Sequence, residues 1–121
     1  MNLIFPIKSK SLFSYPCITI KERATSFKPS VLVIGDSFFN MLMKYYNIFG
    51  FFSKQSSFWY YNKDIYNGGY EDSDKLTLTP KEIDIRNEIQ KCDVVIIMTS
   101  APSLQHLGWG FIDETYNKFK K

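Results

Sequence analysis

The sequence is poor in the residues on which metal sites and nucleophilic sites most often depend. It contains one histidine, His106, and two cysteines, Cys17 and Cys92, which lie far apart and form no CxxC pattern. A structural zinc site needs about four clustered ligands, so this supply excludes one. A disulfide stays open, although both cysteines are typical of small core residues. We expect no metal and no cofactor.

Strong charge and long hydrophobic runs are also missing. The net charge is +3, from 15 basic and 12 acidic residues, which is too mild to favour nucleic acid. The apolar start is interrupted by Pro6 and followed by lysines, so it predicts neither a signal peptide nor a membrane span. Taken as it stands, the chain is expected to be cytoplasmic; that expectation does not hold for a piece of a longer protein.

Aromatic residues are abundant, with eleven Phe, eight Tyr and two Trp. This content indicates a thick aromatic core, a sugar-binding surface, or a face that covers another domain. The run Trp59-Tyr60-Tyr61 could stack on a sugar, although strand alternation predicts that at least one of its members packs in the core. Trp109, between two glycines, is expected to anchor the last helix.

Three apolar or aromatic runs predict the strands of a mainly parallel sheet. Val31–Ile34 lies between Pro29 and Gly35 and is continuously apolar, as is most of 93–98, which is typical of strands covered on both faces. The third run is 57–61. We expect one α/β domain over 1–121, with helices flanking the sheet in three layers. We expect residues 1–27 to form an irregular arm with a short strand at 16–20, and residues 28–119 to form the core.

Helices and loops are predicted between these strands. Apolar residues recur at helical spacing from Phe38 to about Tyr46, with Gly50 as a stop. Residues 62–74 contain Asn67-Gly68-Gly69 and indicate a loop. Thr79, Pro80 and Glu82 form a capping box that predicts a helix to about residue 91. A last amphipathic helix follows residue 110.

The candidate chemistry lies where the first strand ends, at Gly35-Asp36-Ser37. Ligands of open α/β sheets bind beyond the carboxyl ends of the strands. A serine at the first turn of a helix has an exposed hydroxyl and backbone amides that can stabilise an oxyanion. Asp36 and Ser37 are also common helix caps, so a purely structural role stays open.

The segment VLVIGDSFF resembles the first block of the SGNH (GDSL-like) hydrolase superfamily, and residues 93–113 resemble the last strand and helix of its alginate O-acetyltransferase-related members. The resemblance covers roughly residues 28–119 and implies an SGNH-like or flavodoxin-like fold. It also implies Ser37 as acyl nucleophile and an acetylated carbohydrate as substrate. We expect the C-terminal portion of such a protein, truncated or degenerate.

Other family features are incomplete. A triad needs a base beside the serine and an acid that orients the base. His106 is the one possible imidazole base, but Ser103 stands three residues before it, where ordinary SGNH esterases have Asp. Asp113 or Asp93 could orient it, although Asp93 begins its strand and belongs to the opposite edge. The predicted oxyanion and binding residues are Asp36, Asn62, Asn67 and Gly68, with turn formation as the alternative for the last three.

Two classes of function follow from these observations. The first is an SGNH-like acyl-ester hydrolase or O-acetyltransferase-related domain with Ser37 as nucleophile, which we expect to be incomplete or inactive alone. The second is a non-catalytic α/β binding or self-association module, with a homodimer formed through exposed aromatics. A phosphate binder at the same helix is disfavoured, because the turn lacks a glycine-rich loop.

Overall fold

A four-stranded sheet forms the centre of the protein. The computed structural model describes Lys21 and residues 27–121; the predicted arm, the strand at 16–20 and Cys17 lie outside these residues. The strands are β1 (Val31–Gly35), β2 (Ser57–Tyr60), β3 (Asp64–Asn67) and β4 (Val94–Met98), in the order β3-β2-β1-β4. Because β1 is parallel to β2 and β4 and only β3 is antiparallel, the predicted α/β class with a mainly parallel sheet is confirmed.

Strand β1 is the centre of the core, as its continuously apolar sequence predicts. Leu32 and Ile34 point to one face and Val31 and Val33 to the other, and all four are almost completely buried. Helix α1 (Ser37–Tyr46) packs on the face of Val31 and Val33, whereas α2 (Ile85–Gln90) and α3 (Phe111–Phe119) pack on the opposite face. Within the described residues no helix combines the length and apolarity needed to cross a membrane.

The predicted loop at 62–74 is wrong in part, because the chain turns back earlier and forms β3. Tyr61 and Asn62 both adopt left-handed backbone conformations, with φ of 52° and 51°. The Lys63 amide donates to the Tyr60 carbonyl at 2.9 Å, which closes a tight hairpin between β2 and β3. Two consecutive positive φ angles are typical of the tight turn in a β-hairpin. Tyr61 is not a residue type that predicts a positive φ, so the sequence did not indicate this turn. The Asn67-Gly68 signal marks the end of β3 instead.

The predicted helix from residue 79 is wrong at its start. The capping box forms, since the Thr79 amide donates to Glu82 Oε2 at 2.8 Å. It caps only a single 3₁₀ turn, Pro80–Glu82, because Ile83 is extended. Helix α2 then begins at Ile85 with Asp84 as its own cap, accepting from the Arg86 amide at 3.1 Å.

Helix α1 lies within one residue of the predicted span from Phe38 to about Tyr46, and Asn47, with a left-handed φ of 47°, caps its end. Gly50 therefore is not the stop and lies in a following 3₁₀ turn. The helix buries Phe39 and Met43. Phe38 and Met41, members of the apolar pattern, are about half exposed.

Gly35 explains why Phe39 is the buried residue of that first turn. A side chain at Gly35 would lie 3.3 Å from Phe39 Cβ and 3.3 Å from the Phe58 ring. The glycine thus lets Phe39 sit directly against the end of β1.

Candidate functional site

Ser37 lies at the carboxyl edge of the sheet, where the sequence places it. It is the first residue of α1, follows the central strand β1, and its side chain is exposed. Its hydroxyl forms no hydrogen bond with another described residue. The hydroxyl is therefore open to solvent at a helix N-terminus, where backbone amides carry a partial positive charge.

Asp36 has a structural role that differs from the predicted binding role. Its side chain is buried, and Oδ1 accepts from the Phe38 amide at 2.9 Å as the cap of α1. Oδ2 accepts from the Ser100 amide and the Ser100 hydroxyl, both at 2.7 Å, and from the Thr99 hydroxyl at 3.4 Å. An ionised carboxylate only accepts hydrogen bonds, so Asp36 cannot donate to an oxyanion.

The pKa of Asp36 reflects two opposing causes. Burial raises the pKa, but the bonds from Ser100, Phe38 and Thr99 together outweigh burial and hold it below the ordinary value of 3.8. The carboxylate is thus charged at neutral pH, and it joins the end of β1 to the segment that follows β4.

Among the described residues, no basic side chain is hydrogen-bonded to the Ser37 hydroxyl. His106 is exposed at the end of a 3₁₀ helix, Ala101–His106, and its ring forms no hydrogen bond with a described residue. Asp113 is exposed in the first turn of α3. Asp93 accepts from the Ser30 amide at 2.8 Å, at the amino edge of the sheet. The structure therefore does not assemble Ser37, His106 and an acid into a triad among these residues.

Asn62 lies at the carboxyl edge but is used for packing. Its side chain is buried, and Nδ2 donates to the Trp109 carbonyl at 3.1 Å and to Glu114 Oε2 at 3.3 Å. These bonds tie the β2–β3 hairpin to the start of α3. Both bonds use the side-chain NH₂ group of Asn62, so this group is not free to donate to an oxyanion at Ser37.

Asn67 and Gly68 lie at the opposite edge of the sheet from Ser37. Asn67 pairs with Ser57, and Ser57 is level with Leu32 near the start of β1. Five residues of extended chain separate Leu32 from Ser37, a distance of about 16 Å. The expected convergence of these residues on Ser37 does not occur, because the β2–β3 hairpin returns the chain to the amino edge.

Three partly buried aromatic side chains, Tyr60, Tyr61 and Trp109, lie at the carboxyl edge where β2 ends. The Tyr61 amide donates to the Gly35 carbonyl at 2.8 Å, which holds Tyr61 beside the end of β1. The ring of Tyr61 lies 4.4 Å from that of Tyr60 and 5.0 Å from that of Trp109, between ring centroids. Burial and then Tyr61 raise the pKa of Tyr60 above 10.0. Trp59 instead is buried against Phe111, which confirms that one member of the run packs in the core.

Trp109, which the sequence predicts as an anchor of the last helix, is partly buried and packs against the core cluster that contains Phe111, the first residue of α3. Among the residues that the structure describes, no three His, Cys, Asp or Glu side chains are grouped to hold a metal ion.

No protein-family model, curated protein or solved structure matches the chain.

Proposed function

We propose that this chain is an SGNH-like acyl-ester hydrolase or O-acetyltransferase-related domain, in which Ser37 is the nucleophile that accepts the acyl group. One observation carries the proposal: an exposed serine hydroxyl at the first residue of a ten-residue helix, directly after the central strand of a mainly parallel sheet. This is a position at which a nucleophile is accessible and close to the amino end of a helix, where backbone amides lack helical partners.

The chemistry would begin with attack of Ser37 Oγ on an ester carbonyl. A new ester forms at Oγ, and the alcohol leaves with a proton. Asp36 already binds the Phe38 amide through its side chain and the Phe39 amide through its carbonyl. The amide of Ser37 itself is the donor that these bonds leave for the oxyanion.

Ser37 must also lose its proton, and no described side chain is hydrogen-bonded to receive it. We propose that water or hydroxide takes this proton, so that acylation is slow at neutral pH and faster in alkali. General-base catalysis contributes about 10²–10⁴-fold where a base is held in place. The domain alone is therefore expected to be a poor esterase.

An acetylated carbohydrate is the proposed substrate class, as the resemblance implies. The rings of Tyr60, Tyr61 and Trp109 support it, because they lie together at the same edge as Ser37. Aromatic rings with one polar end suit surfaces that bind polar ligands with apolar faces.

Hydrolysis of an activated aryl acetate tests the proposal. We expect the rate of aryl alcohol release to fall to the buffer rate in Ser37→Ala and to stay unchanged in Ser103→Ala. Equal rates in the wild type and Ser37→Ala would overturn it. That result would mean that Ser37 has only a structural role at the start of the helix, as the non-catalytic interpretation holds.

A further inference from the structure

Ser100, from a distant part of the chain, holds the turn that precedes Ser37. It lies just beyond β4, and both its amide and its hydroxyl donate to Asp36 Oδ2 at 2.7 Å. Asp36 is 1% exposed, so water has little access to replace these donors. Hydrogen bonds to an ionised carboxylate are among the stronger ones in proteins. Ser100 therefore determines where this carboxylate lies.

The position of Asp36 in turn determines how Ser37 is presented. The same carboxylate accepts from the Phe38 amide at 2.9 Å, and the Asp36 carbonyl accepts from the Phe39 amide at 3.1 Å. Because a peptide bond is planar, the direction of the Asp36 carbonyl also sets the direction of the Ser37 amide. That amide is the proposed oxyanion donor. A shift of the carboxylate would therefore turn the donor away from the ester.

Ser100 also offsets an unfavourable charge. Asp36 directly precedes Ser37 and is ionised at neutral pH. Its negative charge opposes the negative charge that develops on the ester oxygen during attack. The two donors of Ser100, with the Thr99 hydroxyl at 3.4 Å, point at Asp36 Oδ2 and compensate part of this charge. Loss of the Ser100 hydroxyl would leave more of it uncompensated.

We propose that Ser100 is a positioning residue for acyl transfer at Ser37, acting through Asp36 without touching the substrate. The inference rests on the proposed function, because it requires Ser37 to be the nucleophile. Ser100 is not itself a second nucleophile, since its hydroxyl proton is donated to Asp36 Oδ2. Its effect should therefore appear in the chemical step rather than in substrate binding.

The hydroxyl of Ser100 can be removed without removing its backbone contacts. In Ser100→Ala the amide still donates to Asp36, and the carbonyl still accepts from the Ser103 amide, which lies at 3.0 Å. Ser103 provides the matched control on the same segment, because it is also half-buried and its hydroxyl forms no hydrogen bond with a described residue. The comparison thus isolates one hydrogen bond to Asp36.

Steady-state hydrolysis of an activated aryl acetate by the full chain tests the inference. In Ser100→Ala we expect kcat to fall at least about fivefold while KM stays within about twofold, because a misplaced nucleophile slows the chemical step. Ser100→Thr keeps the hydroxyl and should restore kcat to within about twofold of the wild type. Ser103→Ala should behave like the wild type. Circular dichroism confirms that each variant is folded under the assay conditions.

The rate at which a serine-directed fluorophosphonate modifies Ser37 provides a second measurement that needs no turnover. This rate, per folded molecule, should fall in Ser100→Ala in parallel with kcat. Ser100→Cys has nearly the same shape as the wild type and a weaker donor, so it should stay folded and show a smaller fall. It keeps the test decisive even where Ser100→Ala unfolds.

The possible failures are distinguishable. If Ser37→Ala abolishes hydrolysis but Ser100→Ala and Ser100→Cys react like the wild type, the inference is overturned, and Ser100 only stabilises the fold. A fluorophosphonate adduct on Ser100 also overturns it, because Ser100 would then be a nucleophile. Equal hydrolysis by the wild type and Ser37→Ala overturns the proposed function, and this inference with it.

Discussion

Ser100 donates two hydrogen bonds to one oxygen of Asp36, from its amide and from its hydroxyl, each at 2.7 Å. This pair joins the carboxyl ends of the neighbouring strands β1 and β4, although Asp36 and Ser100 are 64 residues apart in sequence. The same carboxyl group caps α1 through its other oxygen. The turn that exposes Ser37 is therefore held by the residue before it.

Replacement of Asp36 is expected to destabilise the protein strongly. Asp36→Ala removes a buried, charged hydrogen-bond acceptor, so the Ser100 and Phe38 amides lose their partner. The free energy of unfolding should therefore fall by about 2–4 kcal/mol. Ser37→Ala should change it by less than about 0.5 kcal/mol, because Ser37 is exposed. Urea denaturation of both variants measures this contrast. A loss in Asp36→Ala no larger than in Ser37→Ala would contradict the described role of Asp36.

Acid should weaken the same contact. The pKa of Asp36 is lowered in the folded state, so between the folded and unfolded pKa values only the unfolded chain binds the proton. Unfolding then takes up a proton, and stability falls as the pH drops below about 3.8 through the folded pKa. The difference in unfolding free energy between the wild type and Asp36→Asn, measured from pH 5 to pH 2, should shrink accordingly. A difference that stays constant over this range would contradict the pKa direction.

Asn62 is expected to matter for stability through both its backbone and its side chain. Asn62→Gly keeps a residue that tolerates φ of 51° but loses the bonds to Trp109 and Glu114, for a loss of about 1–2 kcal/mol. Asn62→Ala adds backbone strain and should cost about 1 kcal/mol more. Thermal unfolding of the two variants separates these contributions. Equal stability of the two variants would contradict the strain at this turn.

His106 should have little effect on acylation at Ser37. The ring forms no hydrogen bond with a described residue, so His106→Gln is expected to change Ser37-dependent aryl acetate hydrolysis by less than about threefold. A positioned general base would instead account for about 10²–10⁴-fold. A loss of that size would show that His106 acts as the base.

Strand β1 was predictable because burial on both faces of the sheet requires a continuously apolar sequence there. Val31–Ile34 is apolar on both faces since α1 covers one face and α2 and α3 the other, and the sequence carries that signal locally. Strand β4 has the same pattern but lies at the edge of the sheet, and apolar content does not distinguish a central strand from an edge strand. The predicted capping box at Thr79 is present, but a capping box indicates only where a helix begins and not how long it is.

The site was less predictable because its geometry depends on distant contacts. Ser37 follows from the strand and turn that precede it. The second partner of Asp36 is Ser100, and the partner of Asn62 is the Trp109 carbonyl; neither pairing has a sequence pattern. The position of Asn67 was missed for a related reason, since a hairpin at Tyr61 and Asn62 reverses the direction of the chain before that residue.

The most direct test of the central claim is the site at which a serine-directed fluorophosphonate modifies the chain, mapped by peptide mass spectrometry. Ser73 is the matched control, because it is an exposed serine in a short 3₁₀ turn away from β1. The proposed role of Ser37 predicts that Ser37 is modified at least about tenfold faster than Ser73, since amides at the helix N-terminus stabilise the developing negative charge. Modification of the two serines at equal rates, or no adduct on Ser37, would contradict it.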